Sequence, residues 1–349
     1  MLFAVLRLIQ SDLTKVTLFF ILTILASAVI SPWIYNAGML LAEVGQSRTL
    51  NPILDWLASR CRDTPFAYYY DFTLLVIALA IAGPFIMWCN LTNSKYRPAS
   101  KPWRIKLTQT SISYRKGQPL SRNPNATLHL FIGLVIASSL FVISILLIQA
   151  NGWLSFHQAS NFNVLLKTIA SAIIIALVSE WLFRGMLMGI FIRAMHPALA
   201  MVFVSLAYAI ICSLLPNGKE VLIEPDKADA GFRMVTIMFE NLMTLETFVF
   251  GFMLFFCFGL ILAYARYRTA SLWLSFGLHI GFLLPYKTLS QITSPGPHHS
   301  EIPKLLKAPD GLLGLLPFYL LIISALLLHI IFQLLESKKT AAIQTSSHA

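Results

Sequence analysis

The sequence predicts an all-α fold, a polytopic transmembrane helical bundle of about eight spans. Three observations carry this. Of 349 residues, 57% are hydrophobic and only 12% charged, about half the charge of an ordinary soluble domain, and mean hydropathy is +0.73. The apolar residues gather in runs of roughly 20, the length that crosses a bilayer as a helix. Lysines and arginines concentrate between particular runs, as the positive-inside rule requires. The net charge of +11 therefore reads as topology, and nucleic acid is not expected as a partner. Four cysteines, Cys61, Cys89, Cys212 and Cys257, show neither a disulfide framework nor a metal-type CxxC spacing.

Taken in order, the first apolar run goes from Val16 to about Leu41, interrupted by Pro32. Ala26-Ser27-Ala28 resembles a signal-peptidase site, but apolar residues continue beyond it, so an uncleaved helix is expected. Residues 43–71 are mixed in charge. Phe72 to about Cys89 is the second span, with Gly83-Pro84 as a kink. Eight basic residues from Lys95 to Arg122 follow with no acid among them. Leu128 to about Gln149 is the third span, and 150–163 is an uncharged loop. Val164 to Met195 is the fourth and longest helix; the fifth runs from Pro197 to Leu215. The acidic loop 216–245 is expected to hold a short amphipathic helix around Met234–Met243. Glu246–Ala265 is the sixth span, and Ser271–Leu284 is a short seventh that either extends towards Tyr286 or is shielded by its neighbours. Gly311–Leu335 is the eighth, followed by Lys338, Lys339 and a polar tail.

These runs suggest three regions. Residues 1–127 form an N-terminal two-span region with a basic loop, 128–310 a core, and 311–349 a final span and tail. The basic loop, Arg193, the Arg266/Arg268 turn and the Lys338/Lys339 end are expected in the cytoplasm, with the uncharged and acidic loops outside. Eight spans then place both termini in the cytoplasm of an inner or plasma membrane. The lipid bilayer is the first partner implied.

Glu180 is the only acid in the fourth run, and an ionisable residue at membrane depth marks a functional site by default. Arg184 lies four residues on, on the same helical face. Counting about 1.5 Å per residue from the cytoplasmic ends, Glu180 and Cys212 lie at about 22 Å and His279 at about 15 Å. All three fall near mid-bilayer. Gly185 with Gly189, and Gly277 with Gly281, are small-xxx-small pairs that let helices approach closely. Glu180, Arg184, Cys212 and His279 are therefore expected to line one polar site. A structural ion pair locking two helices is the competing reading of Glu180 and Arg184.

Ser179-Glu180-Trp181-Leu182-Phe183-Arg184-Gly185 resembles the Glu-Glu-x-x-Phe-Arg-Gly motif of the CAAX-prenyl-protease and bacteriocin-processing (CPBP, or ABI-type) intramembrane proteases. Ser205 to Cys212 resembles their second motif, an aromatic followed four residues later by His. Thr269 to His279 resembles the third, a Ser-Leu-Trp lead-in to a second His. The resemblance covers about residues 164–285. It implies Glu180, Arg184 and His279 as catalytic residues, with Ser179, Cys212 and Leu283 at positions where the family carries Glu, His and Asn. The catalytic set is thus incomplete.

Peptide hydrolysis in a membrane requires a general base, a water and donors for the oxyanion. Ser179 cannot be that base. Glu180 could substitute, or Cys212 could act as nucleophile with His279 as base. Three functions follow. The first is an endopeptidase acting on a prenylated or otherwise membrane-tethered protein or peptide. The second is a catalytically silent relative binding a membrane protein or lipid. The third is a small transporter, which lacks support because no inverted repeat is visible. With one Glu and one His of the family set left, the sequence assigns no cofactor and no metal.

Overall fold

The computed structural model describes residues 11–48, 51–89, 126–156, 162–214, 223–225, 227–245, 247–269, 271–298 and 316–347. It is an all-α helical bundle, and among the described residues seven helices are long and apolar enough to cross a membrane. The protein is therefore an integral, multi-pass membrane protein. The chain divides into two compact units. Unit one comprises residues 1–93 and 210–252, and unit two residues 94–209 and 253–349.

Unit one is built on α1 (Asp12–Ser47), α2 (Pro52–Arg62) and α3 (Phe66–Trp88). Ser11 caps α1 by accepting from the Thr14 amide at 3.2 Å. The helix runs straight through Pro32, longer at both ends than the sequence suggests. Buried hydroxyls along it turn back on the preceding turn, Thr23 donating to the Phe19 carbonyl at 2.7 Å and Ser27 to that of Thr23 at 2.6 Å. Such contacts are how polar atoms are satisfied where water is absent. The sequence reading passed over α2, which is too short and charged to look like a span. Asn51 caps it, accepting from the Leu54 amide at 2.8 Å, with Pro52 at its first turn. The Tyr69 hydroxyl donates to the Cys61 carbonyl at 3.0 Å, tying α3 to the end of α2. The anticipated amphipathic helix is α8 (Ala230–Leu242). Its Met234 and Met238 pack in one core with Ala28, Tyr70, Leu74 and Leu214, and Gly231 brings it directly onto the Ala28 backbone.

Unit two contains α4 (Ala126–Ala150), β1 (Leu154–Phe156), α5 (Phe162–Ser179), a π-helical segment (Glu180–Leu187) and α6 (Met188–Ala194). Most of α7 (Pro197–Leu214) follows, then α9 (Leu254–Thr269), α10 (Leu272–Ile292), β2 (Thr293–Pro295) and α11 (Leu316–Ser347). A second π-helical segment, Thr247–Met253, belongs to unit one up to Phe252 and leads into α9. The short strands pair antiparallel, Leu154 opposite Pro295. Gly152 precedes them at φ +70°, a conformation that favours glycine.

The tightest packing in unit two is α4 against α10. A Cβ on Gly133 would lie 2.6 Å from the Leu274 carbonyl oxygen, and one on Gly281 2.7 Å from the Ala137 Cβ. The small-xxx-small pair on α10 thus serves close backbone approach. Ser138 reinforces it, donating to the Gly281 carbonyl at 3.2 Å. At 21 residues α10 is long enough to span, and it continues well past the predicted Leu284. Its His279, Lys287 and Gln291 make it more polar than the seven apolar helices.

The fourth predicted helix is not one continuous α-helix: α5 gives way to the π-helical segment at Glu180. A π segment opens the turn to i→i+5 bonding and recurs at functional sites. Here Phe183, Arg184, Gly185, Met186 and Leu187 are all buried, as is Glu180. A regular amphipathic α-helix would turn part of such a run away from the protein.

Candidate active site in the membrane

The π-helical segment carries Glu180 and Arg184, and α10 carries His279. Glu180 is 2% exposed, Arg184 0% and His279 3%. Glu180 Oε1 accepts from Arg184 Nη1 at 3.3 Å and meets His279 Nδ1 at 2.9 Å. The other carboxylate oxygen, Oε2, is buried and has no hydrogen-bond partner among the described residues, and the same holds for Arg184 Nε. One carboxylate thus joins two helices through a single oxygen and keeps the second available.

Arg184 is held from three sides. Nη2 donates to the Gly259 carbonyl of α9 at 3.2 Å. The guanidinium lies 4.3 Å from the centre of the Tyr208 ring on α7, a cation–π contact. Tyr208 in turn meets Phe183 edge-on at 5.1 Å. Phe258 packs edge-on against the His279 imidazole at 5.2 Å. Gly259 lets α9 approach α7: a Cβ there would stand 3.0 Å from that of Ser205. Ser275, fully buried one turn before His279, donates to the Leu272 carbonyl at 3.0 Å.

The structure therefore brings together Glu180, Arg184 and His279. Ser179 is half-buried at the end of α5, adjoining Glu180 in the chain. Leu283 is half-buried on α10, one turn past His279. Cys212 is half-buried on the last turn of α7, in the part that belongs to unit one. No disulfide joins the four cysteines. Sequence reasoning missed Tyr208, Phe258 and Gly259 as parts of the site. For Tyr208 a signal existed, since it is the aromatic of the second motif; a backbone carbonyl such as that of Gly259 leaves none.

Among the described residues no three His, Cys, Asp or Glu side chains converge as a metal-binding group. The donors at this site, one carboxylate and one imidazole, do not fit a resident catalytic zinc, which takes three protein ligands. The arrangement does supply a buried imidazole oriented by a carboxylate, a pairing that serves acid–base chemistry.

The site thus sits in a multi-pass helical bundle and pairs a buried carboxylate with a buried imidazole. Residues 161–284 match the family model described as "Rce1-like: Type II CAAX prenyl endopeptidase Rce1-like". The match runs from the start of α5 into α10 and holds all three motifs. This stretch of the chain is thus similar to the Rce1-like family, in keeping with the CAAX-protease motifs that it resembles. Neither the curated proteins nor the solved structures yield a significant match.

Proposed function

We propose that the protein is an intramembrane endopeptidase of the CAAX-protease type with a reduced catalytic set, acting on a prenylated or otherwise membrane-tethered protein or peptide. The observation that carries this reading is the 2.9 Å contact between His279 Nδ1 and Glu180 Oε1 in a buried site. With Glu180 as a carboxylate, Nδ1 bears the imidazole proton and donates it to Oε1. Nε2 is then the basic nitrogen, able to take a proton from an attacking water. Arg184 fixes the carboxylate, and the carboxylate fixes the ring. Glu180 and Arg184 act here as positioning residues and His279 as the base. The second reading, a silent relative that binds a membrane protein or lipid at the same site, is favoured by the Arg184–Glu180 contact at 3.3 Å, which by itself is a structural ion pair.

Purified protein in detergent, given a library of lipid-tethered peptides, separates the two. The expected result is slow cleavage that falls by about 10² or more in His279→Gln, the usual worth of a general base. Binding without turnover, unchanged by His279→Gln, would establish the silent relative instead.

Orientation follows from the charges. Residues 95–122 lie outside the described residues, but their uninterrupted basic character argues for the cytoplasmic side of a plasma or inner membrane, with both termini on that side. A reporter fused at residue 110 is expected to be active in the cytoplasm, and activity outside the cell would reverse the topology.

A further inference from the structure

The Glu180–His279 pair is one end of a longer seam between α5 and α10. At the far end Gln291 Nε2 donates to Thr168 Oγ1 at 2.9 Å. One turn inward Lys287 Nζ donates to Ser171 Oγ at 3.3 Å. As the α10 numbers fall from 291 through 287 to 279, their α5 partners rise from 168 through 171 to 180. The two helices are therefore antiparallel and in constant register, and Leu283 falls level with Ala176. On this face α5 and the π-helical turn that continues it present Thr168, Ala172, Ala176 and Glu180, exposed by only 6, 0, 0 and 2%. Across from it α10 presents His279, Leu283, Lys287 and Gln291 at i+4 spacing. Small residues on one helix thus meet long ones on the other. The seam is polar at its outer two turns, apolar for one turn at Leu283 and Ala176, and polar again at the site.

A hydrolase buried in a membrane must bring water to its base, and hydrocarbon does not carry it. Half-buried lysine, glutamine and serine side chains and a buried threonine supply the donors and acceptors that a file of water needs. An apolar constriction in such a path closes it by dewetting. We propose that the α5–α10 seam is the route by which water and protons reach Glu180 and His279, and that Leu283, which this register sets level with Ala176, is the hydrophobic gate in that route. The inference rests on the acid–base reading of the pair. It names the Lys287–Ser171 and Gln291–Thr168 contacts as the mouth. From Lys287 to His279 is eight residues, about 12 Å along the helix, with Leu283 midway.

The test reads accessibility, so it does not depend on turnover. Single cysteines are introduced in the full chain in liposomes at Ser171, Lys287, Ser275 and Ile174. A charged, membrane-impermeant methanethiosulfonate reagent is added on both sides. Labelling above that of the parent protein is read by intact mass on the monodisperse fraction. Ser171→Cys and Lys287→Cys are expected to label, whereas Ile174→Cys, on the 55% exposed surface of α5, is not. Ser275→Cys, on the site side of the gate, is expected to label at least tenfold faster once Leu283→Asn is added, and no faster with Leu283→Ile. Inert cysteines at 171 and 287, a Ser275→Cys rate indifferent to Leu283→Asn, or equal acceleration by Leu283→Ile would each overturn the route. If peptides are cleaved but labelling shows no gate, the protease reading survives and the seam does not. Gated labelling without cleavage gives the converse.

Discussion

Changing Ser179 to Glu together with Cys212 to His is expected to raise cleavage of a tethered peptide by about 10²–10⁴, the usual worth of a general base. The family that this stretch resembles carries a Glu and a His at these positions, the Glu being the residue that activates water. Ser179 sits at the end of α5, next to Glu180 in the chain and half-buried. A hydroxyl there cannot take a proton from water near neutral pH; a carboxylate can. The first single change, Ser179→Glu, is expected to give part of the gain and Cys212→His less, because a His alone restores no water-activating carboxylate. A second buried carboxylate beside Glu180 also repels it and favours the neutral form of one of the two. Rates must therefore be taken per folded protein, with expression and monodispersity measured alongside. If the unaltered protein already turns over as fast as the double variant, Ser179 and Cys212 are not deficits, and the reduced set of Glu180 and His279 is sufficient.

How far such a site can be read in advance depends on what kind of atom performs each role. The spans were legible because water-free surroundings force long apolar runs into helices. Glu180 and His279 were legible because charge at membrane depth is costly and rare, so two such residues at similar depth are expected to meet. They do, at 2.9 Å. The π-helical turn at Glu180 was not legible, since i→i+5 bonding leaves no compositional mark and the run reads as one helix. Pro32 looked like an interruption of the first span, yet α1 continues from Asp12 to Ser47, because membrane helices absorb a proline that would end a soluble one. The Gly259 carbonyl that receives Arg184 could not be read at all, because any residue there offers the same acceptor. Lys287 and Gln291 were hidden for a different reason. Judged alone they mark the polar end of a short span, and only their partners Ser171 and Thr168 reveal a continuous seam.

Arg184→Met is expected to destabilise the fold by about 3–5 kcal/mol, the usual result of removing one partner from a buried ion pair. Three contacts vanish together. Glu180 Oε1 loses the 3.3 Å guanidinium contact, the Gly259 carbonyl loses its 3.2 Å donor, and Tyr208 loses the cation over its ring. The largest share comes from Glu180, left charged in a buried site without its cation, with Oε2 already lacking a partner. Arg184→Lys is expected to fall between Met and the parent. An ammonium keeps the charge but cannot reach the carboxylate and the carbonyl with a planar fork while stacking on Tyr208. The decisive comparison is the double variant Glu180→Gln with Arg184→Met. Removing both charges removes the unpaired carboxylate, so the double variant should be more stable than Arg184→Met alone. Unfolding in detergent under rising denaturant reads the parent, Glu180→Gln, Arg184→Met, Arg184→Lys and the double variant on one scale, and the two single losses are compared with the double. Additive losses would mean that the two residues are not energetically coupled, and the pair could then neither lock the helices nor orient His279. Coupling of a few kcal/mol fits both roles, and the His279→Gln cleavage result then separates an oriented base from a structural lock.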